Sequence, residues 1–328
     1  VATAQQAANF PGGTTEAGVY VVGTGDTGAG MTFLTLGIVY FFVMMIAAFQ
    51  YRVPAKDWKP EGFTPAPDKG NMVTTNHVHI DEALRTPQFW LLWIVLCFNV
   101  TAGIGVIGVA KTMINEIFGQ LAIVTIAFAG TYVLMISVFN MVGRFFWAST
   151  SDFIGRKNTY HCFFVLGTAL YLSVPYFAAS GGETALIGFY IATMIIFTMY
   201  GGGFATIPAY LADMFGTMHV GGIHGRLLTA WSTAGVLGPF AITYLRDMSR
   251  NSAIQDLAAK VDPTAFADKF GAPIGQLPSL VDAKTVTIAK LMEIAPSGTI
   301  DPTPTLYNTT MYAMAALLII AFFANLMV

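Results

Sequence analysis

Charge is scarce in this chain. Lys, Arg, Asp and Glu together make up 10% of its 328 residues, against about 25% in an average soluble domain. Hydrophobic residues account for 55%, and the mean hydropathy is +0.63. These values exclude an ordinary soluble domain and place the chain in the membrane class. Cysteine is nearly absent: Cys97 and Cys162 both lie in apolar runs and read as small buried residues, which excludes a disulfide framework. With a net charge of −2 and no basic tract interleaved with aromatics, nothing points to nucleic acid. Phosphate-cradling loops, nucleophile elbows and zinc-protease motifs are all missing, so the chain does not read as an enzyme and no cofactor is expected. His77 and His79 have no third ligand nearby, which leaves no metal site to expect. The sequence opens on Val1 rather than Met and reads as part of a longer product.

What is present is a series of apolar runs. Crossing about 30 Å of hydrocarbon takes about 20 residues, and seven runs qualify: 31–51, 88–112, 121–147, 160–179, 184–212, 225–245 and 308–328. Without water to satisfy the backbone, each is expected to be helical. Short connections make consecutive helices antiparallel. Lys and Arg collect in 52–86 (Arg52, Lys56, Lys59, Lys69, Arg85), after the third run (Arg156, Lys157) and before the sixth (Arg226). These segments all fall on one side and mark it as cytoplasmic. The resulting plan is a periplasmic loop 1–30, a helix 31–51, a cytoplasmic linker 52–86, five helices within 87–246, a long periplasmic loop 247–307 and a last helix 308–328 with its end in the cytoplasm. Within the long loop, "SAIQDLAAKV" and "LVDAKTVTIAKLMEIA" suggest short surface helices.

The sharpest local pattern is Asp152-x-x-Gly155-Arg156-Lys157 at the end of the third run. Asp152 can cap a helix or pair with Arg156, Gly155 permits a tight reversal, and the basic pair favours the cytoplasmic face. This resembles the loop motif of the major facilitator superfamily, with Ala148 where that motif usually begins with Gly. Four stretches, "YRVPAKDWKPEGF", "EALRTPQFWLLW", "GRFFWASTSDFIGRK" and "HGRLLTAWSTAGVLGP", look in that order like the oxalate/formate antiporter family within the superfamily. The resemblance implies an all-α integral membrane fold of the major facilitator type, with seven of twelve transmembrane helices present, the sixth to the twelfth. It also implies a secondary transporter in a bacterial inner membrane, working with the lipid bilayer and with N-terminal helices of the same protein that precede this sequence.

Arg144 stands inside the third run. A charge at the centre of a membrane helix costs at least about 2.5–3.5 kcal/mol, so it normally faces a cavity, a partner or the interface. Two readings stand on the residues alone: a cation that snorkels or pairs with an acid, and a cation that binds an anion. The resemblance implies the second, since a matching Arg of the family contacts the substrate carboxylate, a task suited to a planar, bidentate guanidinium. The family's oxalate carrier has a second cation, a Lys, where this chain has Ser232. One positive charge favours a monocarboxylate of the formate, lactate or pyruvate kind, moved by antiport or with a proton. Ser232 and Thr233 can hydrogen-bond a carboxylate or serve as small packing residues. The resemblance also places Tyr200 and Phe204 in the cavity wall, four apart and on one helix face. Trp147 and Phe146 add to that wall or face lipid.

Other polar residues support weaker readings. Asn99 and Asn140 line the cavity or bond between helices. Lys111 and Glu116, near the outer end of the second run, read as an interfacial ion pair or gate. Asp213 and Arg226 read as partners in salt bridges between the two halves that close the cytoplasmic side, or as solvated ends, and Pro208 as a kink. The loop 148–157, with Asp152, Gly155, Arg156 and Lys157, reads as a gate. Two further functions compete: a transporter-like accessory subunit of a larger membrane complex, and a metal or drug carrier of the same superfamily.

Overall fold

The structure is a computed structural model that describes residues 28–52, 55, 58, 61–62 and 73–328. Residues 1–27 of the expected loop 1–30, and most of the first part of the expected linker 52–86, lie outside the described residues, and Ala29 and Gly30 of that loop belong to the first helix. The chain divides into two compact units, 1–69 and 70–328. The first contains helix α1 (Ala29–Gln50), apolar on every side and without a buried residue, as suits a helix bathed in lipid.

The second unit is an antiparallel bundle of long helices. After a short turn α2 (Ile80–Ala83) come α3 (Pro87–Phe118), α4 (Ile126–Ile154), α5 (Arg156–Ser180) and α6 (Gly182–Phe215). A short α7 (Val220–Leu227) leads into α8 (Thr229–Ala258), and α12 (Asn308–Met327) closes the chain. Local chemistry sets the starts. The Thr86 hydroxyl accepts the Phe89 amide with Pro87 at the first position of α3, and Thr125 does the same for Phe128 at the start of α4. Each cap satisfies an otherwise orphaned amide.

Six helices among the described residues are long and apolar enough to cross a membrane: α1, α3, α4, α5, α6 and the segment Thr303–Met327 that contains α12. The expected run 225–245 lies mostly in α8, which is long enough but carries Arg246, Asp247 and Arg250 in its second half. The fold is all-α, with no strand among the described residues.

Two departures from the sequence reading matter for function. First, the segment 148–157 is not an open loop. Residues 148–154 are helical, and the reversal into α5 falls on Gly155 alone. Its φ of 88° belongs to a region that side chains with a Cβ rarely occupy. Second, 247–307 is not a simple loop. α8 runs on to Ala258 and is followed by α9 (Pro263–Phe270), α10 (Leu277–Asp282) and α11 (Ile288–Met292). "SAIQDLAAKV" is therefore chiefly the end of α8 rather than a separate helix. Phe266, Val286 and Leu291 are buried with Ile254 and Leu257 of α8. These segments form a small folded cap, in which the apolar side chains are packed away from solvent.

The pairing of α4 with α6 positions the site. A Cβ on Gly143 would run into the Thr198 backbone, and one on Gly201 would run into the Asn140 backbone. The two helices touch main chain to main chain there, the close approach that small residues permit in lipid.

Candidate functional site

Arg144 lies ten residues before the end of α4, about 15 Å along the axis at the helical rise. Its Nε donates to Oδ1 of Asn140 at 3.3 Å, one turn back towards the middle of the helix. The side chain therefore runs away from the nearer helix end, opposite to a snorkelling Arg. Its guanidinium carbon stands 5.1 Å from the centre of the Phe204 ring on α6, a cation–π distance. Among the described residues no carboxylate pairs with it. Arg144 is exposed.

Around it the structure gathers three aromatic rings from two helices. The Trp231 ring of α8 meets Phe204 edge to face at 4.8 Å and Tyr200 at 5.7 Å. Tyr200 is nearly buried and packs on the bare backbone of α3 at Gly103, where a Cβ would collide with the ring. The cluster thus offers one cation on a wall of aromatic carbon, with the Asn140 amide beside it. Two of the anticipated wall residues, Tyr200 and Phe204, come together with Arg144. Trp231 was not singled out from the sequence, although it stands next to Ser232. An aromatic in a membrane helix carries no signal of its own, and only the packing of α6 and α8 against α3 brings it to Phe204.

The other anticipated residues lie elsewhere. Trp147 donates its Nε1 to the Thr198 hydroxyl at 3.1 Å and packs edge-on against Phe163 at 5.0 Å, so it belongs to the seam of α4, α5 and α6. Asn99 is buried with its amide nitrogen unpartnered among the described residues. It lines a narrow cavity with Tyr171, Met199 and Tyr200, so Tyr200 borders both features. Thr233 donates to the Thr229 carbonyl of its own helix at 2.9 Å, whereas Ser232 stands 3.5 Å from the Leu228 carbonyl and is exposed.

The sequence motif holds one end of the bundle together. Arg156 bonds Asp152 and the Ser151 hydroxyl, and its Nε lies 3.6 Å from Asp213 at the end of α6. Asp213 thus pairs with Arg156, not with Arg226, whose Nη1 donates to the Gly222 carbonyl. Lys157 donates to the Leu326 carbonyl at 3.0 Å. Asn325, fully buried, donates to the Lys157 carbonyl at 3.0 Å and accepts from Tyr210 at 3.1 Å. Four residues of the motif region therefore tie α4, α5, α6 and α12.

The opposite end has its own lock, and the sequence indicated a different one. Glu116 of α3 pairs with Arg246 of α8 rather than with the exposed Lys111. Tyr307 donates to Glu116 at 2.7 Å and accepts from Arg246 at 3.0 Å. Lys111 lies five residues from Glu116, off the three- or four-residue spacing that makes helical neighbours. Arg246 escaped notice because a charge at the end of an apolar run ordinarily reads as solvated.

A description of the Major Facilitator Superfamily matches residues 18–245, more than half of the chain. The oxalate:formate antiporter of Oxalobacter formigenes is 29% identical over 214 residues, covering 64% of this chain and 46% of that protein. An uncharacterised transporter of the same superfamily type from Escherichia coli strain K12 is 25% identical over 169 residues, covering 51% of this chain and 39% of that protein. The chain spans about half the length, or less, of these curated relatives. With an all-helical bundle of membrane-length helices and a superfamily match over most of its length, this multi-pass membrane protein belongs to the Major Facilitator Superfamily of transporters.

Proposed function

We propose that the protein takes part in secondary transport of small organic anions, with Arg144 as the contact for the substrate carboxylate. The observation that carries this reading is the guanidinium of Arg144, which pairs with no carboxylate among the described residues, is turned towards the middle of its helix and is backed by Phe204. A cation kept there without an acid is costly unless it has an anion to bind. Tyr200, Phe204 and Trp231 supply an apolar wall for the rest of the substrate, as small-molecule sites usually do. Ser232 is neutral, so one fixed charge serves one carboxylate, and a monocarboxylate fits better than a dianion. The likeness to an oxalate:formate antiporter supports the anion class.

In this reading α8 spans the bilayer over its first part and leaves it near Arg246, giving seven spans. The Gly155 end faces the cytoplasm of a bacterial inner membrane, with the C-terminus on the same side. The Arg156–Asp213 and Arg246–Glu116 locks hold this group of helices as one body while access alternates by rocking against the other half of the fold. The driving force is anion exchange or an accompanying proton.

The test is binding and counterflow of labelled formate, lactate, pyruvate and oxalate with the protein in lipid vesicles. Arg144→Ala should abolish carboxylate-dependent uptake while the protein still inserts and folds. Undiminished uptake in that variant would overturn the assignment. Ser232→Lys should shift preference from monocarboxylates towards oxalate.

A further inference from the structure

A second group of cations stands at the other end of the bundle, where the cap folds over α8. Arg246, Arg250 and Lys284 border a cavity of about 340 Å³, with Ile254, Val286 and Ile288 as its apolar floor. The three differ in how far they are neutralised. Arg246 is engaged by Glu116 and Tyr307. Arg250 shares Asp247 with Arg246, at 3.5 Å and 3.6 Å, and its Nε is shut off from solvent without an acceptor. Lys284 has no ion-pair partner among the described residues. The charge around the cavity is therefore net positive: Glu116 and Asp247 offset two of three cations.

Lys284 is also the one non-glycine residue, among those described, with a left-handed backbone, at φ 56°. Such a conformation costs a bulky side chain free energy and persists only where the surroundings over-determine it. Here it follows directly after the turn at the end of α10, where the Lys284 amide bonds the Val281 carbonyl at 2.9 Å. Glycine would fill this position without strain. A lysine there supplies a charge that the turn itself does not need.

We infer that this cavity is a second binding site, for a small carboxylate whose oxygens are held by Arg250 and Lys284 and whose short apolar part rests on Ile254, Val286 and Ile288. It is separate from the Arg144 cluster: the two share only α8, whose Trp231 lies near its start and whose Arg246 and Arg250 lie in its second half, and the cluster lies nearer the Gly155 end. It does not depend on the role given to Arg144. A carboxylate suits the donors because charge-assisted hydrogen bonds are the strong ones, and the floor favours it over a fully hydrated inorganic anion.

Titration of ¹³C-labelled acetate into the whole protein in lipid nanodiscs, read by ligand NMR line broadening, tests this. The Arg144→Ala protein should still bind acetate. Adding Lys284→Gly should weaken that binding at least about tenfold, the loss expected when a hydrogen bond to a charged group disappears. Lys284→Arg, which keeps the charge, should retain it. The glycine variant relieves backbone strain, so its thermal midpoint should be equal or higher, and weakened binding then reports lost charge. Three results would each overturn the inference: loss of all acetate binding in Arg144→Ala alone, undiminished binding in Lys284→Gly, or equal displacement of acetate by inorganic phosphate.

Discussion

Arg144→Ala and Arg156→Ala should fail in opposite ways, because the structure gives the two arginines opposite surroundings. Removing Arg144 breaks one hydrogen bond, to Asn140 at 3.3 Å, and one contact with the Phe204 ring. It orphans no carboxylate. A cation–π contact at an exposed site is worth about 0.5–1 kcal/mol, and the long, exposed hydrogen bond to Asn140 adds about 0.5–1.5 kcal/mol, so stability should fall by about 1–2.5 kcal/mol. Binding should fall much further: a hydrogen bond to a charged group contributes about 1.5–3 kcal/mol, which is about ten- to hundredfold in affinity for one bond and more for a bidentate pair. Arg156 is the reverse case. Its loss leaves Asp213, whose side chain is 14% exposed, without its cation, and breaking a buried pair costs up to about 3–5 kcal/mol. Arg156→Ala should therefore unfold at clearly lower temperature in detergent, while any Arg156→Ala protein that remains folded binds carboxylate normally. The assay pairs thermal unfolding with labelled-formate binding on the same preparations. If Arg144→Ala destabilises as much as Arg156→Ala and leaves binding unchanged, the distinction drawn from the two environments is wrong.

Gly143→Ala should destabilise the bundle by about 1–3 kcal/mol, the usual cost of overpacking, because its Cβ would meet the Thr198 backbone rather than a movable side-chain tip; thermal unfolding in detergent reads this. In the cap, the hydrogen bond from Lys269 and its charge hold the Glu293 carboxyl below the usual carboxylate range. The backbone amides of Ala265 and Thr264 do the same for Asp262. Depressed carboxylates stabilise at pH above their unfolded values and lose that contribution as pH falls through the folded ones. Protection of the α9 amides, corrected for the intrinsic exchange rate at each pH, should accordingly fall in acid, less steeply in Asp262→Asn. Burial pulls the His224 imidazole below its ordinary value, so the folded form resists protonation. Stability of α7 should drop as pH falls below the unfolded value of about 6.5, and His224→Phe should flatten that dependence.

Much of the site was legible because a charge in an apolar run is conspicuous. Arg144 announced itself, and Tyr200 and Phe204 followed from the resemblance. The partners did not. Trp231 reaches Phe204 only because α6 and α8 both pack against α3, and Arg246 meets Glu116 across 130 positions of sequence. The folded cap was hidden for another reason. Its buried residues, such as Val261, Phe266 and Leu291, are spaced along short helices and the turns between them with no sustained period.

By itself the sequence determined the solvent and the secondary structure. Scarce charge and runs of membrane length leave the backbone no choice but helices, and Gly155 with its flanking charges marks where one helix must turn into the next. Only the tertiary structure decided which charges are spent and which are free. Glu116 takes Arg246 and not Lys111; Asp213 takes Arg156 and not Arg226; Arg144 is left with an amide and an aromatic ring. Hydrogen bonds need contact within a few ångströms and Coulomb energy weakens as the inverse of distance, so pairing is settled by distances that helix packing sets and that residue order does not contain.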